Sequence, residues 1–330
     1  MKIAVFILLA ISLTGCSQSE YQTRSLPLLG TIINFKIFDS RDSKEAIDLA
    51  IDRMKALEGV FDRFRSTSEV RQVNDVAGER IFAVREDFFQ LLDLSLYLSA
   101  VTGGAFDVTV GPLMEAWGFY SKKKLELPSE KVISMALEAV GYRHVFLDPE
   151  RMSVKFDVHG VELDFNAIAK GYIVDEAAKT LKKNGVEVAL IDAGGDVLCI
   201  GRKNDKDWIL GIRHPLSKKN IIARISLNGG AAATSGGYEN YITIDEKRFP
   251  HILDPRTGYP PEHNVLSATV VCKSLAMADA LATALFVLEP NEGLDLIECL
   301  DNIDCVIIAI ENGDIKFFIS EGIKDTVEIL

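Results

Sequence analysis

Near the end of the chain, in "AMADALATALFVL" (Ala276–Leu288), Asp279 and Thr283 stand four residues apart among alanine, leucine, methionine, phenylalanine and valine. On a helix that spacing sets a carboxylate and a hydroxyl on one face, and the apolar neighbours turn the helix inward. A buried aspartate is costly unless a cation or hydrogen-bond donors meet it. Two readings are open. Asp279 takes backbone N–H groups while Thr283 bonds back to its own helix, or both face a hard cation such as magnesium, which prefers oxygen ligands and keeps places for phosphates. The cation is the expectation carried forward.

Four further stretches carry chemistry-bearing residues. In "VELDFNAIAKGYIVDEAAKTL" (Val161–Leu181), Asn166 is placed to cap a helix, with Lys170 one turn in. A lysine beside a positive helix end suits an anion such as phosphate, and Asp164 is an acceptor for a ligand N–H or hydroxyl; a plain amphipathic helix with solvated Lys170 is the alternative. "TGGAFDVTVGPLMEAWGF" (Thr102–Phe119) is glycine-rich, so its backbone can approach a ligand, with Phe106 or Trp117 to stack on one. A structured loop is the other reading. "DAGGDVLCIG" (Asp192–Gly201) is either an anion nest or a tight hairpin turn. Last, "HILDPRTGYPPEH" (His251–His263), with the upstream turn Ser235-Gly236-Gly237, reads as a rigid turn pinned by Pro255 or as one wall of a polar site.

The elements that must position these residues follow from periodicity and caps. Residues 28–39 alternate like a strand; after Asp42 and Ser43, Ile47, Ile51, Met54 and Leu57 share one helical face. Helices are expected at 86–101, ending at Gly103-Gly104, and at 129–140, opened by Pro128-Ser129. Short strands are expected over 143–165, then a helix at 166–183 closed by Asn184-Gly185. A strand-rich stretch covers 186–272, with helices at 274–288 and 290–300 and a strand pair near 304–318. Strands in runs with segregated helices predict an α+β fold of two interlocked lobes rather than a regular βαβ winding.

The 330 residues carry a formal net charge of −12, which disfavours a nucleic-acid partner. At the start, Lys2 precedes the apolar run Ile3–Leu13, too short to span a bilayer. It ends in "LTGC", which resembles the lipobox of bacterial lipoproteins. The expectation is a signal peptide over 1–15, lipidation of Cys16, a tether over 16–25 and a catalytic domain over 26–330; a signal peptide with a coincidental cysteine is the alternative. Cys199, Cys272, Cys299 and Cys305 form no CxxC pair, so a structural zinc is not expected. Cys299 and Cys305 are left as a possible disulfide.

Taken together, "GGAFDVTVGPL", "LDFNAIAKGYIVD", "HILDPRTG" and "ADALATAL" resemble, in order and spacing, the ApbE family of bacterial FAD:protein FMN transferases. The resemblance implies an ApbE-like, T-fold-like pair of lobes with the active site in the cleft between them. It implies magnesium, and FAD as the substrate whose FMN half moves onto a threonine or serine of a partner protein with release of AMP. Carried onto this sequence, the metal falls on Asp279 and Thr283 with the main-chain carbonyl of Ala167. FAD falls on Ala105, Phe106, Asp107, Asp164, Lys170 and His251, with Leu29, Gly30 and Thr31 lining the same pocket and Phe64 as the aromatic against the flavin or adenine. Lys170, Asp279 and His251, the last as base or proton relay, are the candidate catalytic residues. Leu29 stands where the family usually has methionine, and Asn166 where it has glycine or serine.

The implied partners are FAD and flavoprotein acceptors such as subunits of Rnf- or Nqr-type redox complexes, reached by a lipid-anchored enzyme on the periplasmic side of a bacterial membrane. A magnesium-dependent FAD pyrophosphatase and a non-catalytic periplasmic FAD-binding lipoprotein are the competing readings.

Overall fold

An eight-stranded sheet organises the chain, and its strands lie side by side in the order in which they occur in the sequence. They are Gln22–Leu28, Thr31–Ile37, Ala189–Ala193, Asp196–Ile200, Gly230–Gly236, Val265–Cys272, Asp304–Glu311 and Asp314–Ile319, each antiparallel to the next. The structure, a computed structural model, describes residues 21–38, 43–120, 126–217, 219–237, 241–244 and 247–330. The expected signal peptide, Cys16 and residues 17–20 of the tether lie outside the described residues; the rest of the expected tether is not a free linker, because Gln22–Leu28 pairs as the first strand of the sheet.

One face of the sheet is covered by helices. Lys44–Phe61 packs on Ala169–Lys183, which in turn packs on Leu275–Val287, and the last lies across the strands Gly230–Gly236 and Val265–Cys272. Ile33, Phe35, Ala231, Ala233, Ala268 and Val270 point into this main core. Residues one position along the strands point the other way, as the two-residue period of a strand requires: Ala232, Val271, Val306 and Ile308 join Trp208, Ile212 and Ile225 of a small three-stranded sheet. A third core, of Leu113, Trp117, Ile133 and Leu253, ties Gly111–Ala116 and Glu130–Leu137 to the segment after His251. The fold is α+β.

Several boundaries differ from the sequence reading. Residues 28–39 are not one strand: Leu29 (φ 55°) and Gly30 (φ 70°) make a two-residue turn between two strands. The helix expected from 166 starts at Ala169, because Asn166 donates its backbone N–H to Asp164 Oδ1 at 2.8 Å instead of capping. Lys170 is therefore the second helical residue rather than one turn in. The Asp192–Gly201 stretch takes its hairpin reading, with Gly194 and Gly195 turning between paired strands.

Candidate functional site

Two helices meet at a joint that sets the site's spacing. Gly171 of the Ala169–Lys183 helix lies so close to the start of Leu275–Val287 that a Cβ there would be 2.4 Å from the Leu275 carbonyl oxygen. One turn further on, Asp175 accepts from the Ser274 hydroxyl (2.7 Å) and from the N–H groups of Leu275 (2.8 Å) and Ala276 (3.0 Å). It thereby supplies acceptors to the unpaired amides of that helix start. Lys170 sits beside this joint on one helix, Asp279 and Thr283 on the other.

Asp279 is only 7% exposed, and its Oδ2 has no hydrogen-bond partner. Burial, reinforced by nearby Asp196, raises its pKa to about 7, against the opposing pull of Lys170 and the Gly171 N–H. Thr283 does bond back to its own helix, donating to the Asp279 carbonyl at 3.2 Å, and the Ser235 hydroxyl lies 3.2 Å from it. Lys170 forms an ion pair with Asp196, which is 4% exposed and also accepts from the Thr234 N–H at 3.1 Å. When Asp279 is ionised, Lys170, Asp196 and Asp279 sum to one excess negative charge around an orphaned carboxylate oxygen. Among the described residues, no cluster of three His, Cys, Asp or Glu side chains has the geometry of a metal site. One carboxylate with hydroxyls and main-chain oxygens is instead a hard-oxygen donor set, which fits magnesium.

Asp279, Thr283, Lys170, Thr234 and Ser235 line a cavity of about 340 Å³, within the range of ligand sites. Its other wall is built by Ala105, Phe106 and Asp107, by Val110 and Met114, by Asp164, Asn166 and Ala167, and by His251 to Leu253 with Pro255. The cavity thus lies between the main core and the third core. Asp107 is spent on local structure: it accepts from the Thr109 N–H and hydroxyl and from the Tyr142 N–H. Burial raises its pKa against those bonds. Asp164 is held from one side by Tyr120 and Arg63 and from the other by Asn166. Asp254 accepts three bonds from Arg256, stiffening the turn that follows His251.

The structure brings Asp279, Thr283, Ala167, Lys170, Asp164, His251 and the Ala105-Phe106-Asp107 segment into one cavity. It does not bring Leu29, Gly30 and Thr31 there, and this corrects the expectation that they share it. They line a separate open depression with Ile32 and Glu58, since the hairpin tip projects from the edge of the sheet. Thr31 nonetheless abuts the neighbouring turn: a Cβ on Gly194 would fall 2.4 Å from its Oγ1. Phe64 is also outside the cavity lining; it is 67% exposed, its ring edge-on to Tyr120 at 5.4 Å. Trp117, offered as a stacking residue, is instead core, 2% exposed with its indole N–H bonded to the Gly258 carbonyl.

His263 lies outside the cavity, against the Val287 carbonyl. Cys299 and Cys305 are both free. Asp196, Thr234, Ser235, Arg63 and Tyr120 went unassigned from sequence. Asp196 had a signal in the glycine pair between aspartates, and Ser235 had one in Ser235-Gly236-Gly237, although Ser235 and Gly236 end the strand Gly230–Gly236 rather than forming a turn; Thr234, Arg63 and Tyr120 had none.

Comparison with known proteins agrees with this architecture. Residues 29–307 match the ApbE family. A protein of Klebsiella pneumoniae named FAD:protein FMN transferase is 33% identical over 91% of this chain and 92% of its own length, and one of Vibrio cholerae with the same name is 32% identical over 94% and 95%. Among solved structures, the ApbE protein of Thermotoga maritima superposes with a TM-score of 0.85 at 33% identity, over 93% of this chain and 99% of that one. The apo flavinyl transferase ApbE of Pseudomonas stutzeri gives 0.82 at 30%, over 93% and 96%. With its motifs, its sheet and nearly its whole length matched, the chain belongs to the ApbE family.

Proposed function

We propose that this chain is a magnesium-dependent FAD:protein FMN transferase, moving FMN from FAD onto a threonine or serine hydroxyl of a flavoprotein and releasing AMP. The observation that carries the reading is Asp279, its Oδ2 buried and unpartnered, lining a cavity beside two hydroxyls and a lysine. The names of its relatives support the same activity.

In this reaction the acceptor oxygen bonds to the phosphorus on the FMN side as the bond to the bridging oxygen breaks, and AMP leaves with that oxygen. Asp279 and Thr283, with the Ala167 carbonyl, would hold the cation, and Ser235 adds an oxygen beside them. Magnesium when bound supplies positive charge to the phosphate oxygens. Lys170, at the start of its helix, adds a second positive contact for the diphosphate. Asp164 accepts from a donor on FAD, and Phe106 with the backbone around it gives the dinucleotide an apolar wall. His251 takes the proton of the attacking alcohol. Holding acceptor and diphosphate in line contributes several kcal/mol, at about the lower end of proximity effects.

The enzyme works outside the cytoplasmic membrane, anchored through Cys16, where tethering raises its effective concentration toward membrane-bound acceptors such as Rnf- or Nqr-type subunits. The decisive test incubates the protein with FAD, magnesium and such an acceptor domain and reads the acceptor by intact mass spectrometry. A mass gain of one FMN supports the reading. AMP without a mass gain would make the chain a pyrophosphatase, and bound FAD without AMP a carrier.

A further inference from the structure

Behind Asp164 lies a partly buried network that none of the cavity chemistry uses. Arg63, 9% exposed, follows the Lys44–Phe61 helix and spreads its guanidinium over the Tyr120 ring, 4.0 Å from the centroid. One of its terminal nitrogens donates to the Tyr120 hydroxyl at 2.7 Å and lies 3.5 Å from Asp164 Oδ2; the other donates to Glu162 Oε2 at 2.7 Å. Tyr120 passes the interaction on, its hydroxyl donating to Asp164 Oδ2. The opposite carboxylate oxygen takes the Asn166 N–H. Gly111 makes room for this arrangement: a Cβ there would meet the Glu162 carbonyl at 2.6 Å and the guanidinium at 3.1 Å.

A side chain with free χ angles spends its time in several rotamers, and an acceptor that must meet a ligand in one of them loses affinity to that freedom. Here both torsions of Asp164 are over-determined by groups on three separate segments. Tyr120, Arg63 and, at 3.3 Å, the Asn166 side-chain amide converge on Oδ2 and the Asn166 backbone N–H on Oδ1, so Asp164 offers the cavity acceptor lone pairs only. The group it meets must bring an N–H or O–H; a carbonyl edge in that position would face carboxylate oxygen with no proton between them.

We propose that Arg63 and Tyr120 are positioning residues that lock Asp164 as a directional acceptor, and that this subsite selects a hydrogen-bond donor edge of the bound dinucleotide. The proposal rests on FAD occupying the cavity. Chains of hydrogen bonds that terminate on a charged residue polarise one another, so losing the middle member costs more than its own contact.

The test is a double-mutant cycle read as FAD affinity by flavin fluorescence quenching, without acceptor. Tyr120→Phe keeps the ring under the guanidinium and removes only the hydroxyl, and it is expected to weaken FAD about tenfold. Asp164→Asn weakens FAD as well, and in that background Tyr120→Phe is expected to add nothing further, an outcome that a general loosening of the fold would not give. Arg63→Lys, which keeps the charge but not the fork, should behave like Tyr120→Phe. Fully additive losses, or a Tyr120→Phe chain that binds FAD like the wild type, would overturn the proposal alone. A wild-type chain that binds no FAD would overturn the transferase reading and this inference with it.

Discussion

Gly171 and Leu275 touch backbone to backbone, and this contact sets how far apart Lys170 and Asp279 stand. A methyl group at position 171 would fall 2.4 Å from the Leu275 carbonyl oxygen, well inside van der Waals contact. Neither side can yield easily, because Asp175 clasps the start of the second helix through Ser274, Leu275 and Ala276. Gly171→Ala is expected to cost about 1–3 kcal/mol of stability, as overpacking of a close contact does, and to weaken divalent-cation binding by shifting Asp279. Urea unfolding and cation titration check both; a variant with wild-type values of each would show that the joint is slack.

Asp279→Asn separates the metal role of that side chain from its structural one. The amide is nearly isosteric but carries no charge to bury, so the metal-free variant should be at least as stable as the wild type. Magnesium raises the melting temperature of the wild type by binding the folded state alone; with Asn at 279 that rise is expected to vanish. An equal magnesium-dependent rise in both proteins would place the cation elsewhere.

How much of this was legible in the sequence depends on how locally each feature is determined. The Glu86–Val101 helix was read to the residue because an acidic first turn and Gly103-Gly104 mark its ends. Ser274 and the apolar run after it marked Leu275–Val287 almost as well. The turn at Leu29 was missed because leucine at positive φ has no sequence signature; the hairpin's pairing imposes it. The start at Ala169 was missed because Asn166 turned its N–H to an aspartate two residues back. At the site, Asp279 and Thr283 announced themselves by their spacing along one helix. Asp196 and Ser235 carried only the glycines beside them as a signal, and Arg63 and Tyr120 none, since strand pairing and helix packing bring them in from positions far apart in the chain.

The raised pKa of Asp279 makes a pH prediction for the metal-free protein. In the folded chain burial lifts it to about 7, whereas the unfolded chain titrates near 3.8. Between those values the folded state holds a proton that the unfolded state has released, so stability falls as pH rises through that window and levels off above pH 7. The slope is on the order of 1 kcal/mol per pH unit at most. Buried Asp107 and Asp175, also shifted upward, tilt the curve the same way. The comparison with Asp279→Asn isolates this one residue: wild type should lose melting temperature relative to the variant from pH 5 to 7.5. Parallel curves would mean that Asp279 does not titrate there.

Lys170 and Asp196 offer a way to split stability from catalysis. Lys170→Met leaves Asp196, 4% exposed, without its ammonium, and an unpaired buried carboxylate typically costs about 3–5 kcal/mol. Because the Lys170 side chain is itself 30% exposed, water reaches the pair and the lower end of that range is expected. Adding Asp196→Asn removes the stranded charge, so the double variant should regain most of the stability while keeping the Thr234 N–H contact through the amide oxygen. AMP release should not return with it, because the cavity still lacks a cation at the helix start to meet the diphosphate. If the double variant recovers turnover together with stability, Lys170 serves only to neutralise Asp196, and the positive contact to FAD has to come from another residue.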